Sequence, residues 1–245
     1  MSLFKKATRA ESKLKIAVTG PSGSGKTYSS LLIAKGMGKK VAVVDTENGS
    51  ANLYSDKFDF DVATMNPPYT VKKYITAIEE AEKAGYDVLV LDSISHGWSG
   101  EGGLLDKKAQ MDATGRGNSY TNWAKMTPEH NLFVAKILNA NIHIICTMRS
   151  KVEYIIEDVN GKKIPRKVGM APIQRDGFEY ELSLVLELGL SHVCEVSKDR
   201  TSLFDGTNFT PSEKTGETLI EWLNSEKKEP EKENRSDKTK TKETK

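Results

Sequence analysis

The run Gly20-Pro21-Ser22-Gly23-Ser24-Gly25-Lys26-Thr27 fits the pattern G-x-x-x-x-G-K-[ST] at every fixed position. Residues of these types at this spacing bind phosphate. Gly20, Gly23 and Gly25 let the backbone curl until successive N–H groups point at phosphate oxygens, at the positive end of a following helix. Lys26 supplies a point charge for β- and γ-phosphates. Thr27 supplies a hydroxyl for Mg²⁺, a cation that takes few protein ligands and shares the rest with water and phosphate. ATP with Mg²⁺ is therefore the first ligand expected.

Two carboxylates extend this chemistry. Val88-Leu89-Val90-Leu91 is an apolar run ending in Asp92, which places an acid at a strand end to hold the Mg²⁺ shell. Hydrolysis also needs a carboxylate to orient and activate water. The residue after Asp92 is Ser93, so the acid must come from elsewhere. Val41-Ala42-Val43-Val44 is followed by Asp45-Thr46-Glu47, and Glu47 is the candidate. Its other reading is a solvated loop acid or a cap for the next element.

These residues need elements to hold them. Residues 14–19 read as a short buried strand, and 28–37 as a helix whose Leu31, Leu32 and Ala34 are available to pack. Strand, glycine turn and helix is the context the phosphate motif requires. Residues 41–44 and 60–65 read as further strands, 71–84 as an amphipathic helix, and 86–93 as a central parallel strand. A glycine-rich stretch with a helix at 104–111 comes next, then a mainly helical segment at 121–139 with Pro128 near a break, then a strand at 142–147. Asn160-Gly161 between 152–157 and 162–168 is a hairpin-turn signal. Strands at 182–188 and 192–197 and a helix at 219–223 close the body. The order predicts an α/β three-layer sandwich with a mostly parallel central sheet and C-terminal antiparallel strands.

Val43-Val44-Asp45-Thr46-Glu47, Leu89-Val90-Leu91-Asp92-Ser93 and Ser197-Lys198-Asp199-Arg200-Thr201 together resemble the RecA/RadA recombinase family of P-loop ATPases. In order and rough spacing the resemblance covers about residues 14 to 205. It implies a RecA-like fold, Glu47 as the catalytic acid, and Lys198 or Arg200 reaching the γ-phosphate of a neighbouring subunit in a ring or filament. The bland alternative for Lys198 and Arg200 is surface charge after an edge strand. Thr147 stands where RecA-like proteins carry an amide that senses the γ-phosphate; its hydroxyl is a shorter donor. The segment after that strand is a DNA-binding loop in those proteins. Here it holds Arg149, Lys151, Lys162, Lys163, Arg166, Lys167 and Arg175 against Glu153, Glu157 and Asp158, with Tyr154 interleaved. Cations that track phosphates and rings on which bases stack suit single-stranded DNA. An ordinary hairpin edge guarded by Lys gives the same pattern. The opening residues 1–9 with Ile16 to Lys26, the short length and the Lys-Asp-Arg-Thr element also look like phage-encoded ATP-binding proteins, some of them linked to single-strand annealing or recombination.

Composition sets the outer limits. With 245 residues, 37% of them hydrophobic, the chain suits one substantial core. We expect a flexible N-terminal arm at 1–13, an ATPase domain at 14–224 and a disordered charged tail at 225–245, which carries no large apolar residue. The tail holds eight of the 36 basic and six of the 34 acidic residues, leaving 28 of each sign in the body. A globally basic body, the footprint of tight duplex binding, is thus absent, and nucleic-acid contact must come from a local patch. Cys146 and Cys194 lie in apolar runs and read as buried core thiols in a reducing compartment. No metal-ligand spacing links Cys and His, no apolar run reaches about eighteen residues and the N-terminus is not signal-like, which predicts a cytoplasmic protein, in the host cytoplasm if phage-encoded.

Two other functions fit the same motif. One is a nucleotide-gated module that binds a protein partner and hydrolyses little. The other is a small-molecule P-loop kinase, disfavoured because Glu47 is placed for water and no Arg-rich lid is evident.

Overall fold

The computed structural model describes residues 4, 6–115, 118–159 and 162–225. Short Val- and Ile-rich runs form the parallel core of a sheet: β1 (Lys15–Gly20), β2 (Val41–Asp45), β4 (Val88–Asp92) and β5 (His143–Val159). With β3 (Asp61–Thr64), β7 (Leu184–Leu188), β8 (Cys194–Asp199) and β9 (Asn208–Phe209), the order is β3-β2-β4-β5-β1-β7-β8-β9. β6 (Lys162–Pro172) pairs with β5 in a hairpin off that path. Pairings from β3 across to β7 are parallel; β7 with β8, β8 with β9 and β5 with β6 are antiparallel. The expected α/β sandwich with a mostly parallel sheet is what forms.

Alternation along the strands builds the two cores. Ile16, Val18, Val41, Val43, Val88 and Val90 face one side, where α1 (Lys26–Met37) and α6 (Glu213–Asn224) bury Ile33, Leu219 and Leu223 against them. Ala17, Ala42, Val44, Leu89 and Leu91 face the other side, covered by α2 (Val71–Lys83), α3 (Ser95–Ser99), α4 (Leu104–Ala113) and α5 (Ser119–Asn139). Burying each large aliphatic side chain contributes about 1.5–3 kcal/mol.

Several boundaries depart from the sequence reading. α5 runs unbroken through Pro128 because Met126, His130, Phe133 and Ile137 form a buried stripe, and that packing outweighs the roughly 3 kcal/mol cost of an interior proline. β5 continues past Thr147 to Val159 because β6 pairs with its polar half. α6 starts well before 219, with the Ser212 N–H donating to Thr215 Oγ1 at 3.1 Å. β9 adds a two-residue strand with no sequence signal. In the expected N-terminal arm, the Arg9 guanidinium lies 4.6 Å over the Trp222 ring and donates to Ser225 Oγ at 3.1 Å. The charged tail beyond Ser225 and the Asn160-Gly161 turn lie outside the described residues. Cys146 and Cys194 are buried free thiols, as expected.

Candidate active site

Parallel pairing brings the C-terminal ends of β1, β2, β4 and the parallel half of β5 to one edge. Gly20 registers with Arg149, and Asp45 with Asp92. The loop from β1 into α1 turns through Gly23 (φ 81°) and Gly25 (φ 86°), a region that L side chains rarely adopt. His192 packs against this loop, with Nδ1 3.0 Å from the Ser24 carbonyl oxygen. The loop and His192 border a cavity of about 890 Å³ whose lining includes Gly23, Lys26, Thr27, Glu47, Asp92 and Arg149. The same lining also includes the less polar residues Tyr28, Leu32, Tyr54 and Pro211.

Lys26 Nζ donates to the Pro21 carbonyl at 2.8 Å, and burial lowers its pKa from the ordinary lysine value. Thr27 Oγ1 donates to Asp92 Oδ2 at 2.6 Å, and Thr147 Oγ1 donates to Asp92 Oδ1. Burial pushes the Asp92 carboxyl up, against the lowering effect of the two hydroxyls. Thr27 and Asp92 thus offer oxygen atoms, the donors a hard cation takes, at a place where phosphates can complete its shell. That donor set fits Mg²⁺. Among the described residues no group of three or more His, Cys, Asp or Glu side chains forms a further metal cluster.

Glu47 is aimed by the residue two before it. Asp45 Oδ1 accepts the Glu47 N–H at 2.6 Å and Oδ2 accepts the Ala51 N–H at 2.8 Å, so the buried Asp45 carboxylate shapes the turn that presents Glu47. Ser93 Oγ donates to Glu47 Oε1 at 3.2 Å. Arg149 Nε donates to the same oxygen at 2.9 Å, and its Nη2 pairs with Oε2, making a two-pronged ion pair. Burial would raise the Glu47 pKa; the Arg149 hydrogen bonds and charge outweigh it and hold the carboxyl below its usual range. Behind Glu47, Thr46 Oγ1 accepts the Ser93 N–H at 2.8 Å and lies 2.7 Å from His96 Nδ1, while Tyr69 stacks on His96 at 4.7 Å. Tyr74 OH donates to the Ser93 carbonyl at 2.8 Å. The turn on either side of Glu47 is therefore braced by buried hydrogen bonds.

Lys26, Thr27, Glu47 and Asp92 are thus brought together. Thr147 stands behind Asp92, fully buried, and does not line the cavity. Lys198 and Arg200 lie at the opposite edge of the sheet, because β7 runs parallel to β1 and β8 returns antiparallel, with Asp199 paired to Leu184. There Lys198 Nζ donates to the Glu179 and Tyr180 carbonyls and Arg200 Nη2 to Tyr180 O at 2.8 Å. The cations expected to meet DNA fall in three places. Lys151 and Lys163 are exposed on the hairpin; Lys162, Arg166 and Lys167 occupy β6 positions paired with Val159, Ile155 and Tyr154. Arg175 borders a separate cavity beside His130 and Asp176. Arg149 lines the cavity with Lys26 and Glu47. Its position two residues past Thr147, on the same side of β5, is a signal the sequence carries. His96 and His192 carry no comparable signal.

The profile of the AAA domain family matches residues 12–228, and the chain belongs to that family. It is a P-loop NTPase domain. Among solved structures it is similar to a KaiC-like protein of the hyperthermophilic archaeon Pyrococcus horikoshii OT3, at 16% identity and a TM-score of 0.41, covering 76% of this chain and 79% of that one. It is also similar to a prototypical ATPase from the type III secretion system of pathogenic bacteria, at 14% identity and a TM-score of 0.39, covering 72% of this chain and 51% of that one. No curated protein matches the chain. No helix of the described residues is long and apolar enough to cross a membrane.

Proposed function

We propose that this cavity binds ATP with Mg²⁺ and hydrolyses it, and that the protein acts on single-stranded DNA. One observation carries the proposal: Lys26, Thr27, Asp92 and Glu47, from separate stretches of the sequence, line a single cavity at the sheet edge. Loop N–H groups and Lys26 hold the phosphates, and the less polar lining residues Tyr28, Leu32, Tyr54 and Pro211 receive the base. Thr27 and Asp92 hold Mg²⁺, which when bound offsets charge on the phosphates. Glu47 takes a proton from water as the water oxygen bonds to the γ-phosphorus and the bond to the ADP oxygen breaks. Exposed Lys151 and Lys163 on the β5–β6 hairpin support a strand of nucleic acid alongside. Family resemblance supports a role in phage recombination or replication, and a ring or filament in which Lys198 or Arg200 completes a neighbour's site.

The Glu47–Arg149 pair favours a second reading, a nucleotide-gated module that binds a protein partner and hydrolyses little. ATP turnover measured with and without oligo-dT, beside a gel shift, separates the two. Turnover stimulated by oligo-dT supports the first reading. A near-zero, DNA-independent rate without a shift rejects it in favour of the second.

A further inference from the structure

We propose that Arg149 is a phosphate ligand of this site, its guanidinium partitioning between the Glu47 carboxylate, where it lies in this structure, and the terminal phosphate of a bound nucleoside triphosphate. A triphosphate draws it off Glu47; a diphosphate, lacking that group, does not. The inference rests on the ATP-binding reading of Lys26 and on Glu47 as the acid.

Position supports it first. Arg149 lines the cavity together with Gly23, Lys26, Thr27 and Asp92, and registers with Gly20, the first residue of the phosphate loop. Its backbone is pinned: its N–H donates to Ser95 Oγ at 3.0 Å and its carbonyl accepts the Ile173 N–H at 2.7 Å. The side chain is 46% exposed, so it can swing while its Cα stays in place. Thr147, the donor two residues earlier on β5, is committed to Asp92 and buried. Arg149 and its neighbour Ser150 are therefore the residues of this strand end that line the cavity, and Arg149 alone of the two carries a charge.

Chemistry supports it next. A guanidinium fork fits carboxylate and phosphate equally well in shape, and the terminal phosphate offers more charge and more acceptor oxygens. While Arg149 grips Glu47, Oε1 receives both Arg149 Nε and Ser93 Oγ, and Oε2 receives Nη2. A carboxylate so occupied is a poor proton acceptor. Moving the fork to phosphate restores its basicity when the substrate is present.

The test is affinity, read by calorimetry with ADP and a non-hydrolysable ATP analogue and Mg²⁺. Arg149→Ala should weaken analogue binding by about tenfold or more and change ADP binding by less than about twofold, with Arg149→Lys partly restoring the analogue. Glu47→Gln, which removes the competing anion, should tighten analogue binding, and Arg149→Ala in that background should erase the gain. Equal losses for both nucleotides, or no loss, in Arg149→Ala overturn the proposal, as does a Glu47→Gln gain that survives without Arg149. If the wild-type chain binds neither nucleotide, or binds both independently of Lys26, the ATP-site reading falls as well. Lys26-dependent binding with an unchanged ADP-to-analogue ratio in Arg149→Ala sinks this inference alone.

Discussion

Thr27 and Asp92 share a hydrogen bond, Oγ1 to Oδ2 at 2.6 Å, across 65 residues of sequence. A residue in the first turn of α1 and the last residue of β4 thereby meet at the point where a hard cation is expected. Thr27→Val keeps the size and removes the oxygen. Nucleotide-analogue affinity in this variant should lose its dependence on Mg²⁺, whereas wild type should bind more tightly as Mg²⁺ is added. Retention of the full Mg²⁺ effect would remove Thr27 from the metal site.

Glu47→Gln removes the proposed proton acceptor and leaves the turn built by Asp45 in place. Steady-state ATP hydrolysis should fall by about 10²–10⁴-fold while analogue binding persists. Normal turnover would mean that another group activates water.

His143 couples pH to folding. Its Nδ1 accepts the Leu14 N–H at 3.0 Å, and burial, followed by the charges of Lys13 and Lys15, lowers its pKa from 6.5 to about 4. The folded state binds fewer protons than the unfolded chain between those values, so stability rises with pH through this window and is lost as pH falls toward 4. A shift of this size corresponds to at most about 3 kcal/mol. Urea titrations at pH 7 and pH 4.5 should show the loss, and His143→Gln should flatten it. An equally steep acid decline in the variant would assign the effect to other groups.

Gly36 of α1 and Gly216 of α6 allow the two helices to touch backbone to backbone. A Cβ at Gly36 would stand 2.0 Å from the Glu213 carbonyl oxygen, and one at Gly216 2.1 Å from that of Ile33. Intrinsic propensity favours Ala over Gly in a helix by about 1 kcal/mol. Contacts this short to backbone dominate, and either Gly→Ala change should lower Tm, in line with the roughly 1–3 kcal/mol cost of overpacking. Thermal melts decide it; an unchanged or higher Tm would show that the helices can part cheaply.

Local chemistry explains what was readable in the sequence. Gly20 to Thr27 carry their own turn and helix start, and Asp92 and Glu47 come after apolar runs whose length already marks them as strands. Pairing partners decided the remainder. β5 outlasts its apolar half because β6 lies beside it, and α5 tolerates Pro128 because of the buried stripe beneath. The direction of Arg149 depends on Glu47, 102 positions away. Lys198 and Arg200 have the right spacing for a phosphate role, but only strand direction reveals which edge they occupy.

That edge gives the molecule polarity. The cavity sits at one end of the parallel strands and the Lys198–Arg200 pair at the other, bound to the turn at Phe178–Glu181. Any contact carrying those cations to the cavity of another copy joins unlike surfaces. A two-fold dimer cannot make such a contact on a single shared patch; head-to-tail association can, and it either closes by rotation or continues without end.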